Sequence, residues 1–331
     1  MKSIDQYWYG RHPLMALLQP LSGLFRVVVW LRRRAYRGGL LKVHKLSVPV
    51  IVVGNITVGG TGKTPLVAWL AGFLKEAGYE PGIVMRGYGG KARHWPQQVR
   101  PDSDPVVVGD EAVLLARHSQ CPMAVGPDRA AAARALIDHH ACTVIIADDG
   151  LQHYALARDI EILVIDGVRR FGNGMCLPAG PLREPLARLK EVDLVVTNGL
   201  AGRQEYPMKM IGGVARRLND PLSECPLAQF AGQTVHAVAG IANPLRFFTS
   251  LRNAGLRIVE HPFPDHHAFK PEDVSFGNGA PVLMTEKDAV KCRRFARDYD
   301  WYVPVAAQPD PRLGERILTL LKGKTHGQEA A

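Results

Sequence analysis

Cysteine is scarce and never paired. Five of the 331 residues are cysteine (Cys121, Cys142, Cys176, Cys225 and Cys292), scattered and without a C-x-x-C pair. That argues against a disulfide framework or a zinc ribbon and for reduced thiols in a cytosolic setting. Internal repeats and low-complexity tracts are lacking, and no cleavable leader is expected near the start. Also missing is an unbroken apolar run of the ~20 residues that a bilayer span requires. The nearest approach, Leu14 to Leu31, is interrupted by Gln19, Pro20, Ser22 and Arg26. A central arginine costs about 2.5–3.5 kcal/mol, against about 0.3–0.6 kcal/mol gained per Leu, Ile, Phe or Val. The segment is therefore expected to lie on a membrane surface rather than cross it, the alternative being a helix docked on the protein's own core. Trp8, Tyr9 and Trp30 would sit in the headgroup zone, and Arg32, Arg33, Arg34, Arg37, Lys42 and Lys45 would attract anionic lipid. Acidic residues are in deficit, 31 against 41 Lys and Arg, and the net charge of +10 favours an anionic partner.

What is present is centred on residues 48–65, VPVIVVGNITVGGTGKTP. The β-branched run through Val53 is too short for a helix and reads as a buried strand. A glycine-rich turn follows, then Gly62-Lys63-Thr64 and an apolar helix. Strand, flexible loop, Gly-Lys-Thr and helix form the phosphate-cradling P-loop arrangement. Backbone N–H groups turn inward on a phosphate chain, and the helix N-terminus adds its positive end. Lys63 is expected to reach the β- and γ-phosphates and the Thr64 hydroxyl to hold Mg²⁺. The strict pattern has glycine where this chain has Thr57.

The remainder reads as two α/β units, consistent with 47% apolar content and a length of roughly two domains. Residues 1–45 form the membrane-associated segment, 46–198 a P-loop domain, 199–233 a linker, and 234–331 a smaller α/β domain. Alternating strands and helices imply a doubly wound parallel sheet with ligands at the strands' carboxyl ends. Thr143 to Ala147 is a strand running into Asp148-Asp149, where a P-loop protein places its Mg²⁺ ligands. Asp110, at the start of an apolar-periodic stretch, reads locally as a helix cap. His266 and His267 lack the i, i+4 spacing of a zinc site.

The motifs WYGRHP, GNITVGGTGKTP, RGYGG, GDEA, VGPDR, DDGLQH, LPAGPLREP, AGIANP, FPDHHAF and TEKDAVK run nearly end to end. With these the chain resembles the tetraacyldisaccharide 4′-kinases, the lipid A 4′-kinase family. The resemblance implies transfer of the γ-phosphate of ATP to the 4′-hydroxyl of an acylated glucosamine disaccharide 1-phosphate, giving lipid IVA. It implies work at the cytoplasmic face of the Gram-negative inner membrane, with no nucleic acid and no obligate protein partner. ATP phosphates would fall on Thr57, Val58, Gly59, Gly60, Thr61, Gly62, Lys63 and Thr64, and Mg²⁺ on Thr64, Asp148 and Asp149. Asp110 would be the general base rather than a cap, with His266 as its partner and His267 the adjacent alternative. A site split across two domains implies a hinge in 199–233. Leu151 stands where phenylalanine is often found, a change within apolar packing.

Two other classes compete. A P-loop switch GTPase or ATPase regulator at the membrane would share the loop. Guanine readers, however, carry N/T-K-x-D, whereas Thr285-Glu286-Lys287-Asp288 has its lysine one place late. A non-catalytic membrane adaptor would leave the loop, the acidic pair and Asp110 without a purpose.

Overall fold

Val50–Gly54 (β1) is buried along its whole length, which is why its sequence is apolar on both faces. It lies between β5 (Val144–Asp148) and β6 (Ile160–Asp166), parallel to both, with Val53 opposite Asp148. β7 (Leu194–Asn198), β8 (Tyr206–Ile211) and an antiparallel β15 (Ala306–Pro309) continue the sheet beyond β6. β2 (Pro81–Met85), β4 (Met123–Val125) and an antiparallel β3 (Gln97–Val99) continue it beyond β5. This computed structural model describes residues 7–10, 13–265 and 267–329, with backbone alone for 325–329.

Both faces of the nine-stranded sheet are covered, as a doubly wound fold requires. One core takes Leu66, Leu70 and Leu74 of the helix Lys63–Glu76 (α3), Val113 and Leu115 of Asp110–Ser119 (α5), and Leu313, Ile317 and Leu321 of Pro311–Glu329 (α9). The other takes Ala130, Ala133 and Leu136 of Arg129–His140 (α6) with Leu151, Leu156 and Leu182. The short helix Pro105–Val108 (α4) leads into α5 through Gly109. A six-stranded second sheet runs β10 (Glu224–Pro226), β9 (Val214–Arg217), β14 (Asp300–Val303), β13 (Val282–Thr285), β11 (Thr234–Ala239) and β12 (Arg257–Pro262). Pro244–Asn253 (α7) and Glu286–Cys292 (α8) pack on it.

The chain divides differently from the sequence-based boundaries. Residues 199–233, expected as a linker, carry β8 in the first sheet and β9 and β10 in the second. The chain crosses back after β14, so that β15 and α9 belong to the first unit although they fall within 234–331. Two chain crossings, 211–214 and 303–306, thus join the units.

The N-terminal helices Leu14–Leu17 (α1) and Gln19–Arg37 (α2) dock through a mixed face that includes Met15, Ser22, Phe25 and Arg33. Ser22 is buried and its hydroxyl donates to the Cys176 carbonyl at 2.8 Å. Arg33 pairs with Glu191 and lies 3.9 Å from Glu184, while Arg37 donates to Glu191 at 2.7 Å. Both arginines thus pair with protein carboxylates, a partner the sequence reading did not anticipate. Trp8 is also misplaced by the sequence reading: it is buried, with its indole N–H donating to the Pro178 carbonyl at 3.0 Å. The opposite side of α1 and α2 exposes Leu14, Leu17, Leu21, Leu24, Val28 and Leu31, at 50–75% each. Their 3-4-3-4-3 spacing makes one continuous apolar stripe. No described helix is long and apolar enough to cross a membrane.

Candidate active site

The loop between β1 and α3 is held in place by hydrogen bonds from the surrounding elements. Thr57 is buried and bridges the backbone of Leu182, and the Val58 N–H donates to the Pro181 carbonyl at 2.8 Å. The Gly59 carbonyl accepts from Asn55 (3.2 Å), the Gly60 carbonyl from Arg169 (2.6 Å) and the Thr61 carbonyl from Asn198 (3.1 Å). Carbonyls tied outward leave N–H groups to turn inward. Gly62 caps α3 at φ 95°, and a Cβ there would meet the Met210 methyl at 2.4 Å and the Asn198 amide at 2.6 Å. Only glycine serves. Lys63 and Thr64 open α3, where the helix terminus favours anions.

Parallel pairing of β1 with β5 then brings Asp148 and Asp149 beside that lysine. Lys63 Nζ lies 3.4 Å from Asp149 Oδ1, and Arg183 Nη1 lies 3.3 Å from Asp149 Oδ2. Asp149 has φ 50°, a left-handed conformation that costs a non-glycine residue energy and turns its carboxylate off the strand line. Burial raises the Asp149 pKa, but Lys63, Arg183 and Arg129 outweigh it and hold the group below the ordinary carboxylate range. Asp148 is buried, and burial pushes its pKa up to about 7, with Lys63 pulling the other way and Asp149 adding to the rise. Asp148 Oδ1 is buried with no hydrogen-bond partner. A desolvated carboxylate oxygen beside a second carboxylate is a cation site by its chemistry, so the residues fit Mg²⁺. Among the described residues no group of three or more His, Cys, Asp or Glu could hold a metal ion.

These groups line a cleft of about 1850 Å³ whose far walls come from the second unit and from α2. Ala242, Pro244, Arg246 and Lys287 of the second unit line it, as do Phe25, Val28 and Arg32 of α2. Arg246 of α7 donates to the Asn198 side chain, which itself holds the loop. Asp110 is the first residue of α5, beside the cleft. Its carboxylate accepts the Glu111 N–H at 3.0 Å and lies 3.7 Å from Lys291 Nζ. Glu111 lines the cleft wall, and its Oε1 accepts from Lys287 at 2.7 Å. His266 lies outside the described residues. His267 packs against Phe263 and Phe269 with its Nε2 3.0 Å from Asp273.

Sequence reasoning missed Arg169 and Asn198, which bond carbonyls of the loop, Arg246, which bonds Asn198, and the meeting of Lys287 and Lys291 with α5. In the sequence Lys287 reads only as the displaced lysine of a guanine-reading motif, although its i, i+4 spacing from Lys291 in TEKDAVK would put both on one helix face. Glu184 was missed as well. It is buried and accepts from Gln152 and Tyr154, both at 2.7 Å, which fixes the DDGLQH segment under the cleft.

A braced glycine loop with Lys-Thr at a helix start, two carboxylates at the neighbouring strand end, and a cleft walled by a second unit define a P-loop phosphotransferase. Residues 14–322 match the family model described as tetraacyldisaccharide-1-P 4′-kinase. The chain belongs to that family. It is 58% identical over 319 residues to the tetraacyldisaccharide 4′-kinase of Nitrosococcus oceani, covering 96% of this chain and 94% of the relative. The enzyme of that name from Methylobacillus flagellatus is 53% identical over 322 residues, at 96% and 95% coverage. Among solved structures, LpxK from Aquifex aeolicus in complex with ATP superposes with a TM-score of 0.77 at 28% identity, covering 93% of this chain and 99% of that one. The chain is therefore an ATP-dependent kinase of lipid A synthesis.

Proposed function

We propose that this kinase moves the γ-phosphate of ATP onto the 4′-hydroxyl of a tetraacyl glucosamine disaccharide 1-phosphate lodged in a membrane surface, with the roles divided as follows. The loop from Thr57 to Thr64 binds the phosphate chain, and Lys63 offsets charge on the β- and γ-phosphates. Thr64, Asp148 and Asp149 hold Mg²⁺, which when bound neutralises the same phosphates; the orphaned Asp148 oxygen supports this. Asp110 accepts the proton of the sugar hydroxyl, and His266 orients it. The engagement of His267 with Asp273 supports leaving that role to His266. The two crossings at 211–214 and 303–306 are the natural hinge for closing the second unit on the loop.

Membrane contact is assigned to the outward stripe on α1 and α2. A monomer gains nothing by exposing six large apolar side chains in one row, whereas a lipid surface buries them. The same helix lends Phe25, Val28 and Arg32 to the cleft, so an acceptor held in the bilayer edge is delivered to the phosphate loop. The observation that carries the reading is Lys63 and Asp149 brought together at 3.4 Å at the mouth of that cleft. The decisive experiment offers γ-labelled ATP with the tetraacyl disaccharide 1-phosphate, and GTP in parallel. Label in the lipid product from ATP is expected. Hydrolysis without lipid labelling, or equal use of GTP, would return the protein to the switch-NTPase class.

A further inference from the structure

We propose that Lys287 and Lys291 of α8 are positioning residues, an interdomain bracket that aligns the proposed base only when the two units are closed. The proposal rests on Asp110 being that base. Three polar contacts join α5 of the first unit to α8 of the second: Asp110 with Lys291 (3.7 Å), Glu111 with Lys287 (2.7 Å) and the His118 imidazole with Glu286 (2.9 Å). Their order reverses along the two helices, so α5 and α8 run antiparallel. Each helix begins acidic and ends basic. Antiparallel packing therefore sets acid against base at both ends, and the helix dipoles agree with it.

Lys287 does more than pair once. Its ammonium also lies 3.1 Å from Asp265, the residue before His266. One cation thus clamps the sequence neighbour of the base to the sequence neighbour of its proposed partner. Burial alone would lower the Lys287 pKa, but Glu111 and Asp265 outweigh it and raise the net value, so the bracket stays charged. Lys291 is anchored on its own side by Asp288 at 3.2 Å. Asp288 is fully buried and accepts from the Thr285 hydroxyl at 2.6 Å and the Gly240 N–H at 2.8 Å. The lysine head groups therefore stand on a rigid mount, not on a loop. Both are 14% exposed, which shields the pairs from the screening that makes surface ion pairs weak. Opening the units separates α8 from α5 and removes every one of these contacts from Asp110 and Glu111. Closure over nucleotide and alignment of the base are then one event.

The test uses the full-length kinase with Glu111→Gln, Lys287→Met, Lys287→Arg, the Glu111→Gln/Lys287→Met double variant and Asp110→Asn. Glu111 is 40% exposed, so its variant tests the bracket even should a lysine variant fold poorly. Each variant is measured for kcat, for KM of the lipid acceptor, and for the equilibrium Kd of a fluorescent ATP analogue. Glu111→Gln and Lys287→Met should each cut kcat by ~10- to 100-fold, the cost of a misplaced reacting group. Nucleotide Kd should move less than about threefold, the double variant should be no worse than the poorer single one, and Lys287→Arg should recover most of the rate. Near-normal kcat in Glu111→Gln and Lys287→Met with an inactive Asp110→Asn overturns the bracket and leaves the base in place. Near-normal Asp110→Asn overturns both. Multiplicative losses, or Kd weakening in step with kcat, would reduce the pair to ordinary structural contacts and refute the positioning role.

Discussion

Replacing Leu21 and Leu24 by serine should detach the enzyme from lipid without touching its fold or chemistry. The two side chains are 53% and 61% exposed in the free protein. Full burial of a leucine is worth about 1.5–3 kcal/mol, so the part still outstanding is about 1–1.5 kcal/mol for each. Together the pair should account for about 2–3 kcal/mol of partitioning, a ~30- to 150-fold loss in affinity for vesicles. Both residues point away from Ser22 and Arg33, which hold the helix to the protein, so the thermal midpoint should hardly change. The assay is co-sedimentation with anionic phospholipid vesicles, with kcat on detergent-dispersed acceptor as the control for folding. The arginines sharpen the test. Arg34 is exposed, its guanidinium lying over the Trp30 ring, and its loss should remove about 1 kcal/mol of salt-sensitive attraction. Arg33 is bound to Glu191 and Glu184, and its loss should loosen the helix rather than weaken the lipid contact directly. Unchanged vesicle binding by the folded leucine double variant would refute the stripe as the membrane face.

Lys63→Ala should abolish phosphate transfer while circular dichroism stays native, because the side chain meets Asp149 and the cleft rather than either core. Asp148→Asn and Asp149→Asn should each raise the Mg²⁺ concentration needed for half-maximal rate, read from a metal titration; an unchanged requirement in both removes them from the metal shell. Glu205 is held at about 2, foremost by its bond from Arg170, against an ordinary value of 4.5. Its stabilisation is therefore full above pH 4.5 and is lost as pH falls toward 2; Glu205→Gln should lower the unfolding free energy from urea titration at pH 7, by roughly 2 kcal/mol after solvent screening, and leave it nearly unchanged near pH 2. Burial pushes the Cys142 thiol up to about 11 and the Cys292 thiol up to about 12, so at pH 8 both should resist a thiol-specific colorimetric reagent until urea exposes them.

The β1–loop–α3 unit was legible because its parts are contiguous, and each residue type has a local reason to be there. Asp148 was legible for the same reason, as a carboxylate ending an apolar strand. What could not be read was adjacency. That β5 pairs with β1 and so sets Asp149 3.4 Å from Lys63 depends on crossovers which the local pattern leaves open. The strands between 206 and 226 were missed for a different reason. β8 and β9 have mixed exposure and β10 has three residues, so no apolar run or clean alternation marks them. For α9 the periodicity gave a helix, but a stripe of Leu313, Ile317 and Leu321 fits either sheet equally. Trp8 shows the limit of composition. An aromatic beside a basic segment suits a lipid interface and a core alike, and a single carbonyl, that of Pro178, decides between them.

Asp110 is the residue on which local and structural logic part. An acid opening a helix is ordinarily its cap, bonding back to the second or third N–H of the first turn. Here the cap position belongs to Gly109, at φ 96°, and no side chain caps α5. A Cβ on Gly109 would meet the Tyr88 carbonyl at 2.6 Å, so the RGYGG loop packs where only a glycine fits. That close approach moves Asp110 one place into the helix. Its carboxylate accepts the next N–H, that of Glu111, and lies 3.7 Å from Lys291 Nζ of the second unit. Gly-Asp-Glu therefore encodes more than a helix start. The glycine takes the cap, the aspartate meets Lys291 across the domain boundary, and the glutamate beside it meets Lys287, so two successive side chains of the first unit are tied to one helix of the second.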